Sequence, residues 1–489
     1  MVSKNVIITT GIIIIGLAVF WLLFLKPVSQ QNEPFVGITS QIQNPYVQEF
    51  SLPPGSAPNG LIVDKQGIVW VTSSGFGTLY SFDPKSGQLQ NYEIKSDNSS
   101  SVVSRQNSTM VWTVLQDKDG FIWFSPLGTK SIWRFDPEHG TFDKFQSNAG
   151  SAFQMKSGET FGTIWFTTLS GNTLGVLEKD DNYPSGYKMT QFNLGNDTAP
   201  AGLFVKDNAV WITEITTQKI VHYEIINRGY LVSNITKVAE FPIDNKTALS
   251  SPTDLFVDNG TMWLTEHGTS FLTEFDLSSG TIIRFPTSQN IFHATTLPFW
   301  IRGINDGRDL WFNEHEGNKL AYFDTVNKTM IEYNIPSRPS DGYLTYPLNI
   351  ATDPQDANVL WFSEWNTDKI GKINGHIQIP FSISADANEV ILNNDASKET
   401  IVNLDVTGQS PYSMNRVFVN ASSSVAPAAG FGDIDVKISP DVLDLSSEHK
   451  SQLILRNYAT LPGNYTLGIS VSDGLVVKTI FLNLIVPKG

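Results

Sequence analysis

Four glutamates end four consecutive copies of one short apolar strand, and a histidine directly follows two of them. The glutamates are Glu214, Glu266, Glu314 and Glu364, and the histidines are His267 and His315. Carboxylates that converge repel one another, by about 2 kcal/mol for a pair about 8 Å apart at an effective dielectric of 20. A hard divalent cation with oxygen ligands relieves this repulsion. The pattern therefore predicts a Mg²⁺ or Ca²⁺ site with these four glutamates as ligands.

The two histidines are candidate catalytic residues, because imidazole suits general acid–base chemistry near neutral pH. Successive residues of a strand point to opposite faces, so each histidine should face away from the glutamate before it. Two plainer interpretations stay open. The histidines could be ordinary turn residues, and the glutamates could cap hairpins or pair with Arg302 and Lys319.

The strands that carry these residues belong to a repeat in which a tryptophan marks the second of four short strands. The seven tryptophans are Trp70, Trp123, Trp165, Trp211, Trp263, Trp311 and Trp361. A repeat of about 40–50 residues with four strands per unit is typical of a propeller blade. The sequence thus predicts an all-β fold with a seven-bladed β-propeller over residues 46–379. Each tryptophan should be buried where two blades pack.

The first strand of this region is out of order. Residues 46–53 resemble the fourth strand of the repeat, yet they precede the first complete unit. The last unit, residues 347–374, has only the first three strands. We therefore predict that residues 46–53 complete the last blade and close the ring, which removes the exposed ends of a linear array.

The repeat stops before residue 380, and residues 380–489 contain no tryptophan. About seven short strands separated by turn residues predict an immunoglobulin-like β-sandwich, although no cysteine pair supports an antibody-type domain. Modules of this kind are usually spacers, docking units or glycan binders. The sandwich region contains no catalytic constellation.

The amino-terminal region predicts a membrane anchor. Residues 6–25 are uncharged and almost wholly apolar between Lys4 and Lys26, which is long enough to cross a bilayer about 30 Å thick. No small-residue cleavage site follows, so residues 1–29 favour an uncleaved signal-anchor over a cleaved signal peptide. Residues 30–45 form a polar linker. The chain is then expected at the cell membrane as a single-pass protein, with its bulk outside the cytoplasm.

Nine Asn-x-Ser/Thr sequons support an exported, glycosylated chain. The candidate glycosylation sites are Asn98, Asn107, Asn196, Asn234, Asn245, Asn259, Asn327, Asn420 and Asn464.

The amino-acid composition excludes several kinds of site and argues against one class of partner. The 489 residues include no cysteine, which excludes disulfides, thiolate metal sites and a cysteine nucleophile. A formal net charge of −15 argues against binding of nucleic acid.

Two copies of the repeat resemble the signature of a known family. Residues 310–314 read Leu-Trp-Phe-Asn-Glu and residues 318–324 read Asn-Lys-Leu-Ala-Tyr-Phe-Asp; residues 360–365 and 368–373 are similar. They resemble the streptogramin B lyase (virginiamycin B lyase) family over roughly residues 46–376. The resemblance implies a seven-bladed propeller and an elimination that opens a cyclic ester. It also implies bound magnesium, acidic ligands at the glutamate positions and histidines in a Pro-His-x-Ile motif.

This chain departs from that pattern at the catalytic histidines, because Phe299 and Leu348 stand in their places. Neither side chain can move a proton. Two hypotheses follow. In the first, the propeller binds a small molecule, a glycan or a protein on its funnel face, with Arg302 and Trp365 as candidate contacts. In the second, the chain is a metal-dependent lyase or lactonase whose bases are His267 and His315.

Overall fold

A computed structural model describes residues 44–94, 110–158, 162–242, 249–288, 295–339, 345–409, 416–424 and 433–488. Within these ranges no helix is both long and apolar enough to span a bilayer. The predicted span at residues 6–25 lies outside them, as do Asn98, Asn107 and Asn245. The helical element found in the described ranges is one 3₁₀ turn, Asn305–Gly307.

Seven sheets of four antiparallel strands make up most of the described chain. Alternating β-branched and aromatic residues between Gly, Asn and Asp turns form these short strands. The strands are β1 (Val47–Ser51), β2 (Pro58–Val63), β3 (Val69–Ser73), β4 (Thr78–Asp83), β5 (Gln88–Glu93), β6 (Val111–Gln116), β7 (Ile122–Pro126), β8 (Ser131–Asp136), β9 (Thr141–Gln146), β10 (Met155–Ser157), β11 (Thr163–Thr168), β12 (Thr173–Lys179), β13 (Tyr187–Asn193), β14 (Pro200–Lys206), β15 (Ala209–Glu214), β16 (Lys219–Arg228), β17 (Leu231–Phe241), β18 (Pro252–Asp258), β19 (Thr261–Glu266), β20 (Phe271–Asp276), β21 (Ile282–Pro286), β22 (Pro298–Ile304), β23 (Asp309–Glu314), β24 (Lys319–Asp324), β25 (Thr329–Asn334), β26 (Pro347–Asp353), β27 (Asp356–Glu364) and β28 (Lys369–Asn374).

The seven sheets form a closed ring. The inner strand of each sheet contacts the inner strand of the next, in the order β2, β6, β10, β14, β18, β22 and β26, and β26 contacts β2 again. Blades 1 to 6 each contain four strands that are consecutive in the chain. The fold is thus a β-propeller, as the tryptophan repeat predicts.

Blade 7 is closed by the strand that precedes blade 1. β1 pairs antiparallel with β28, from Val47 opposite Ile373 to Ser51 opposite Lys369. The carboxylate of Asp368 accepts hydrogen bonds from the main-chain N–H groups of the turn after β1, at 2.7 Å each. The predicted ring closure by residues 46–53 is confirmed.

The tryptophans of the repeat lie between blades. Six of the seven are at most 4% exposed, and Trp211 is half-buried. Trp70 lies 5.6 Å from Phe135 of the next blade, and Trp263 lies 5.3 Å from Phe323 of the next blade, measured between ring centroids. The predicted burial of these side chains at blade contacts is confirmed for these blades.

Hydroxyl groups beside the inner strands join blades 4, 5 and 7 to their neighbours. The Oγ1 of Thr213 accepts from the N–H of Gly202 at 2.7 Å and donates to the carbonyl of Thr253 in the next blade at 3.0 Å. Thr265 and Ser363 make the same bridge from blades 5 and 7. These residues immediately precede the glutamates of the repeat. The hydroxyl side chain therefore faces the ring interior, and the glutamate side chain does not.

The chain after β28 forms nine more strands in two sheets. One sheet has the order β29-β31-β35-β33, and the other contains β37, β36, β32 and β34, with β30 paired to β37. The bounds are β29 (Phe381–Ala385), β30 (Glu389–Ile391), β31 (Thr400–Gly408), β32 (Arg416–Ser423), β33 (Asp433–Ser439), β34 (Val442–Asp444), β35 (Lys450–Tyr458), β36 (Gly463–Ser472) and β37 (Val476–Val486).

The second of these sheets is continuous with blade 6. β37 pairs antiparallel with the outer strand β25, from Thr329 opposite Ile480 to Tyr333 opposite Val476. Phe481 packs against Phe285, with 5.1 Å between ring centroids. Main-chain pairing and an aromatic contact therefore hold the carboxy-terminal module on the ring, a connection that the repeat pattern does not predict.

Candidate functional site

The carboxylate of Glu266 is bound within its own blade. The side chain is fully buried, and its Oε1 lies 2.7 Å from Nε of Arg284, on the outer strand of blade 5. Thr273 donates to the same oxygen at 2.5 Å, and the N–H of Ser250 donates to Oε2 at 2.7 Å. The charge is therefore paired inside the blade, and the carboxylate does not face the ring axis.

The other three glutamates occupy equivalent positions and share one arrangement. In register, each stands opposite a lysine that begins the third strand, and this lysine pairs with a glutamate of the fourth strand. The sets are Glu214–Lys219–Glu240 in blade 4, Glu314–Lys319–Glu332 in blade 6 and Glu364–Lys369–Glu49 in blade 7. In blade 5 the positive charge lies on the fourth strand instead of the third. Phe271 replaces the lysine, and Arg284 replaces the second glutamate.

The expected convergence of the four glutamates on one cation is therefore not found. The repeat places them at equivalent positions, but their side chains point toward the outer strands of four separate blades. Among the described residues no group of three or more His, Asp and Glu side chains is arranged to hold a metal ion. As placed, Glu214, Glu266, Glu314 and Glu364 do not fit a shared Mg²⁺ or Ca²⁺. The alternative that they pair with Arg302 or Lys319 is not found either, because Lys319 pairs with Glu332 and Arg302 pairs with Asp254. Glu266 pairs with a different base, Arg284.

In blades 6 and 7 the two carboxyl groups of each set share one lysine; Glu314, Glu332 and Glu364 are buried, and Glu49 is half-buried. Burial and the neighbouring Glu332 carboxylate raise the pKa of Glu314 well above its usual range. Burial and Glu49 raise the pKa of Glu364 to about 8. One carboxyl group of each set therefore keeps a proton at neutral pH, because one lysine neutralises only one of the two charges.

Replacement of Glu364 by glutamine should change the pH dependence of stability. Between the unfolded pKa of 4.5 and the folded value of about 8, the folded chain holds a proton that the unfolded chain has lost. The wild-type free energy of unfolding should then fall as pH rises through this window, by about 1 kcal/mol per pH unit. The Glu364→Gln variant should lack this slope and be the more stable protein at pH 8. Urea unfolding at pH 5 and pH 8 measures the difference, with the exposed Glu93→Gln as control; parallel slopes would contradict it.

The two histidines meet at the end of the ring where β22 and β26 begin, which we call the mouth. His267 and His315 lie 5.4 Å apart between ring centroids, and Phe299 stacks on His315 at 4.2 Å. Neither Nε2 has a hydrogen-bond partner among the described residues. Burial lowers the pKa of His267 to about 4, and burial together with His267 lowers the pKa of His315 well below its usual range. Both rings are neutral at pH 7.

Aromatic side chains from several blades surround this pair. Trp112 of blade 2 lies 5.8 Å from Phe299 of blade 6, and Phe153 of blade 3 lies 5.6 Å from Trp300, between ring centroids. Trp112 and His267 are half-buried, and the others are buried. The mouth is thus an apolar cluster that contains two neutral imidazoles and can pack on flat apolar groups.

The two predicted ligand contacts lie in different places. Trp365 is half-buried at the mouth, packs with Tyr346 and Leu348, and donates from Nε1 to the Oγ of Ser74 in blade 1 at 3.2 Å. Arg302 lies four residues along β22 from Pro298. It pairs with Asp254, from Nη1 to Oδ2 at 3.1 Å.

The sequons that the structure describes are at the surface. In all of them the asparagine is exposed; these residues are Asn196, Asn234, Asn259, Asn327, Asn420 and Asn464. Their exposure is compatible with glycosylation, which stays a prediction.

The sequence analysis did not identify the polar residues that meet between the inner strands of different blades. In six of the seven inner strands the register shifts near the first residue, as between Pro298 and Ile301. Such a bulge re-aims consecutive side chains. Asp254 directly follows one of these shifts. It meets Gln154 across blade 4, with 2.8 Å between Nε2 of Gln154 and Oδ1 of Asp254. The sequence signal for these residues lies in the two positions that follow the proline of each repeat. In the sequence analysis, those positions served only to show that the catalytic histidines of the family are replaced.

The family of the chain follows from its sequence. Residues 101–390 match the model of the virginiamycin B lyase family. Comparison with curated proteins gave no match.

Solved structures with the same fold include two lyases. A catalytically inactive variant of virginiamycin B lyase from Staphylococcus aureus, solved with quinupristin, is 24% identical with a TM-score of 0.52, covering 67% of this chain and 98% of that chain. A streptogramin B lyase is 24% identical with a TM-score of 0.52, and the match covers 67% of this chain and 97% of that chain. The WD40 repeats of RRP9 are 8% identical with a TM-score of 0.50, and the match covers 67% of this chain and 97% of that chain. These likenesses concern the fold. Because the family model matches more than half of the sequence, this chain belongs to the virginiamycin B lyase family.

Proposed function

We propose that the chain is a binding protein whose propeller mouth takes up an aromatic or apolar group of a small molecule. The observation that carries this proposal is the aromatic surface formed by Trp112, Phe153, Phe299 and Trp300 around two neutral imidazoles. Flat apolar surfaces with a few polar atoms are typical of ligand sites. The Nε2 atoms of His267 and His315, which have no hydrogen-bond partner among the described residues, would supply the polar atoms.

Lyase chemistry is the second candidate, and family membership is the reason to test it. Elimination needs a base whose pKa lies near the working pH. The depressed pKa of His267, about 4, makes this ring a weak base. Phe299 and Leu348 cannot replace it, and the four glutamates are held inside their blades. The same residues that make a poor elimination site make a suitable binding surface.

The setting of this binding function is also a proposal. Residues 1–29 would anchor the chain through the span 6–25, residues 30–45 would be a linker, and residues 46–379 would form the binding ring outside the cytoplasm. Residues 380–489 would be an immunoglobulin-like spacer, supported by their two facing sheets. The exposed sequon asparagines are compatible with this location.

Binding at the mouth can be measured with the fluorescent probe 1-anilinonaphthalene-8-sulfonate. We expect a bound-probe signal from the wild type and a roughly fivefold weaker Kd for Trp112→Ala, because one aromatic contact is worth about 1 kcal/mol. Tyr230→Ala, an exposed aromatic residue in the turn between β16 and β17, is the matched control and should bind as wild type does. Equal Kd values for all three proteins would contradict binding at the mouth.

The lyase alternative is tested with quinupristin, which is present in the structure of the inactive Staphylococcus aureus enzyme. We expect no ring-opened product by mass spectrometry, with or without Mg²⁺. Ring opening that is lost in His267→Ala and His315→Ala would establish the lyase instead. A Mg²⁺-dependent rise in Tm that Glu314→Gln abolishes would restore the predicted metal site.

A further inference from the structure

A narrow cleft lies between blades 3 and 4, at the end of the ring opposite the mouth, where the inner strand β14 ends. Its volume is about 70 Å³, so it has room for more than one water-sized group. Blade 3 contributes Trp165 and Glu178 to its walls, and blade 4 contributes Val205, Ile225 and Val232. Apolar side chains from both blades therefore surround one carboxylate.

Glu178 has one oxygen bound across the blade contact and one oxygen without a partner. The residue is 3% exposed, and its Oε1 accepts from the N–H of Val232 in blade 4 at 2.8 Å. Its Oε2 is buried and has no hydrogen-bond partner among the described residues. Because Glu178 lines the cleft and Oε1 is already bound, Oε2 is the atom left to bind a ligand there.

The charges around Glu178 do not compensate its burial. Burial raises the pKa of this carboxyl group, and the Val232 N–H and the charge of Lys188 offset only part of the effect. Lys188 stands opposite Glu178 in the register of β12 and β13, while Asp180 adds a second negative charge nearby. A buried carboxylate normally pairs with a cation or accepts several hydrogen bonds. A cation that also donates hydrogen bonds would therefore complete this site.

The walls of the cleft decide which kind of cation fits. A hard metal ion needs several oxygen ligands, and no group of three or more His, Asp and Glu side chains in the described ranges is arranged to hold one. An alkylammonium ion needs acceptors only at its head and apolar surface along its stem. Trp165, Val205 and Ile225 supply apolar surface, and Tyr230, 64% exposed, lies at the rim. Aromatic rings attract organic cations.

We propose that this cleft binds the primary ammonium group of a small alkylamine, with Oε2 of Glu178 as the acceptor. The alkyl stem lies against Val205 and Ile225, and Tyr230 contacts it at the rim. The exposed Asp207, also at the rim, adds negative charge that attracts the ligand. The formal net charge of −15 likewise favours cations near the surface. This site shares no residue with the mouth and does not depend on the function proposed there.

Thermal unfolding of the full chain tests the site when n-butylammonium chloride replaces sodium chloride at constant ionic strength. We expect the Tm of the wild type to rise with the amine, because a ligand that binds the folded state stabilises it in proportion to ln(1 + [L]/Kd). Glu178→Gln should abolish this rise, since it removes the charge and keeps an oxygen that can accept from the Val232 N–H. Glu138→Gln, in the exposed turn between β8 and β9, should keep the full response.

Tyr230→Ala tests the same site without changing a buried residue. A cation–π contact at an exposed position is modest, so the Kd for butylammonium should become roughly two- to fivefold weaker. This variant should bind the fluorescent probe at the mouth as the wild type does, whereas Trp112→Ala should keep the full response to the amine. The two variants therefore separate a failure of this site from a failure of binding at the mouth.

Three results would count against the proposal. Equal Tm values in the two salts, or the same amine response in the wild type and Glu178→Gln, would overturn it. A response to calcium chloride that Glu178→Gln abolishes, without one to butylammonium, would overturn the assignment of an organic cation. Tetramethylammonium has the charge but no N–H donor and should raise the Tm less than butylammonium. An equal rise would overturn the hydrogen bond to Oε2.

Discussion

Replacement of Arg284 by methionine is expected to destabilise the chain by about 3–5 kcal/mol, because it leaves the buried carboxylate of Glu266 without its cation. Arg284 supplies two hydrogen bonds to this group, from Nε at 2.7 Å and Nη2 at 3.3 Å. Blade 5 has no lysine that can substitute, since Phe271 occupies that position. Urea unfolding at pH 7 measures the loss. Lys206→Met removes a more exposed cation, 3.6 Å from Asp258, and should cost less than about 1 kcal/mol.

The different placement of the positive charge in blade 5 allows a sharper version of this experiment. Phe271→Lys combined with Arg284→Glu gives blade 5 the same Glu–Lys–Glu set as blades 6 and 7. The double variant should recover a large part of the stability that Arg284→Glu alone loses. If the double variant is no more stable than the single one, the lysine and arginine positions are not alternative sources of the same charge.

A chain that begins at residue 54 should unfold at a markedly lower temperature than one that begins at residue 44. The shorter chain lacks β1 and with it the contact of Phe50 with Trp361, 5.6 Å between ring centroids. It also loses the buried side chains of Tyr46, Val47 and Leu52. At about 1.5–3 kcal/mol for each of these three side chains, the loss should be about 4.5–9 kcal/mol.

Loss of β1 also leaves the edge of β28 unpaired. Unpaired edges recruit other strands, so the shorter chain should form dimers or larger species in size-exclusion chromatography. A peptide of residues 44–53 added in trans should restore part of the unfolding temperature, whereas a scrambled peptide should not. Equal unfolding temperatures for the two chains would mean that β1 does not hold the ring closed.

The repeat could be interpreted correctly from the sequence because its signal is redundant. Seven tryptophans with similar flanks identify the blades, and residues 46–53 match a strand that blade 7 lacks. The direction of single side chains was harder to predict. Thr265 and Glu266 are neighbours on one strand and point to opposite faces. The hydroxyl faces the next inner strand, which sends the carboxylate toward Arg284 and away from the axis. The symmetry of the repeat predicted the position of the glutamates but not the face on which they lie.

Two other features depend on contacts that have no local sequence pattern. The bulges of the inner strands arise from pairing within the sheet, and one of them directly precedes Asp254, which bonds to Gln154. The junction of β25 with β37 joins segments from different modules, and neither segment differs in composition from an ordinary strand. Identification of the family did not provide the junction either, since the matched residues 101–390 end before β37.

Closure of blade 7 has a consequence for how the chain is made. Glu49 and Lys369, which pair across β1 and β28, are 320 residues apart. At a synthesis rate of about 5–20 residues per second, the first strand leaves the ribosome roughly 15–60 seconds before its partner exists. During that interval an aromatic strand without a sheet must be kept from pairing elsewhere. Chaperone demand during translation should therefore fall sharply once residue 374 has emerged.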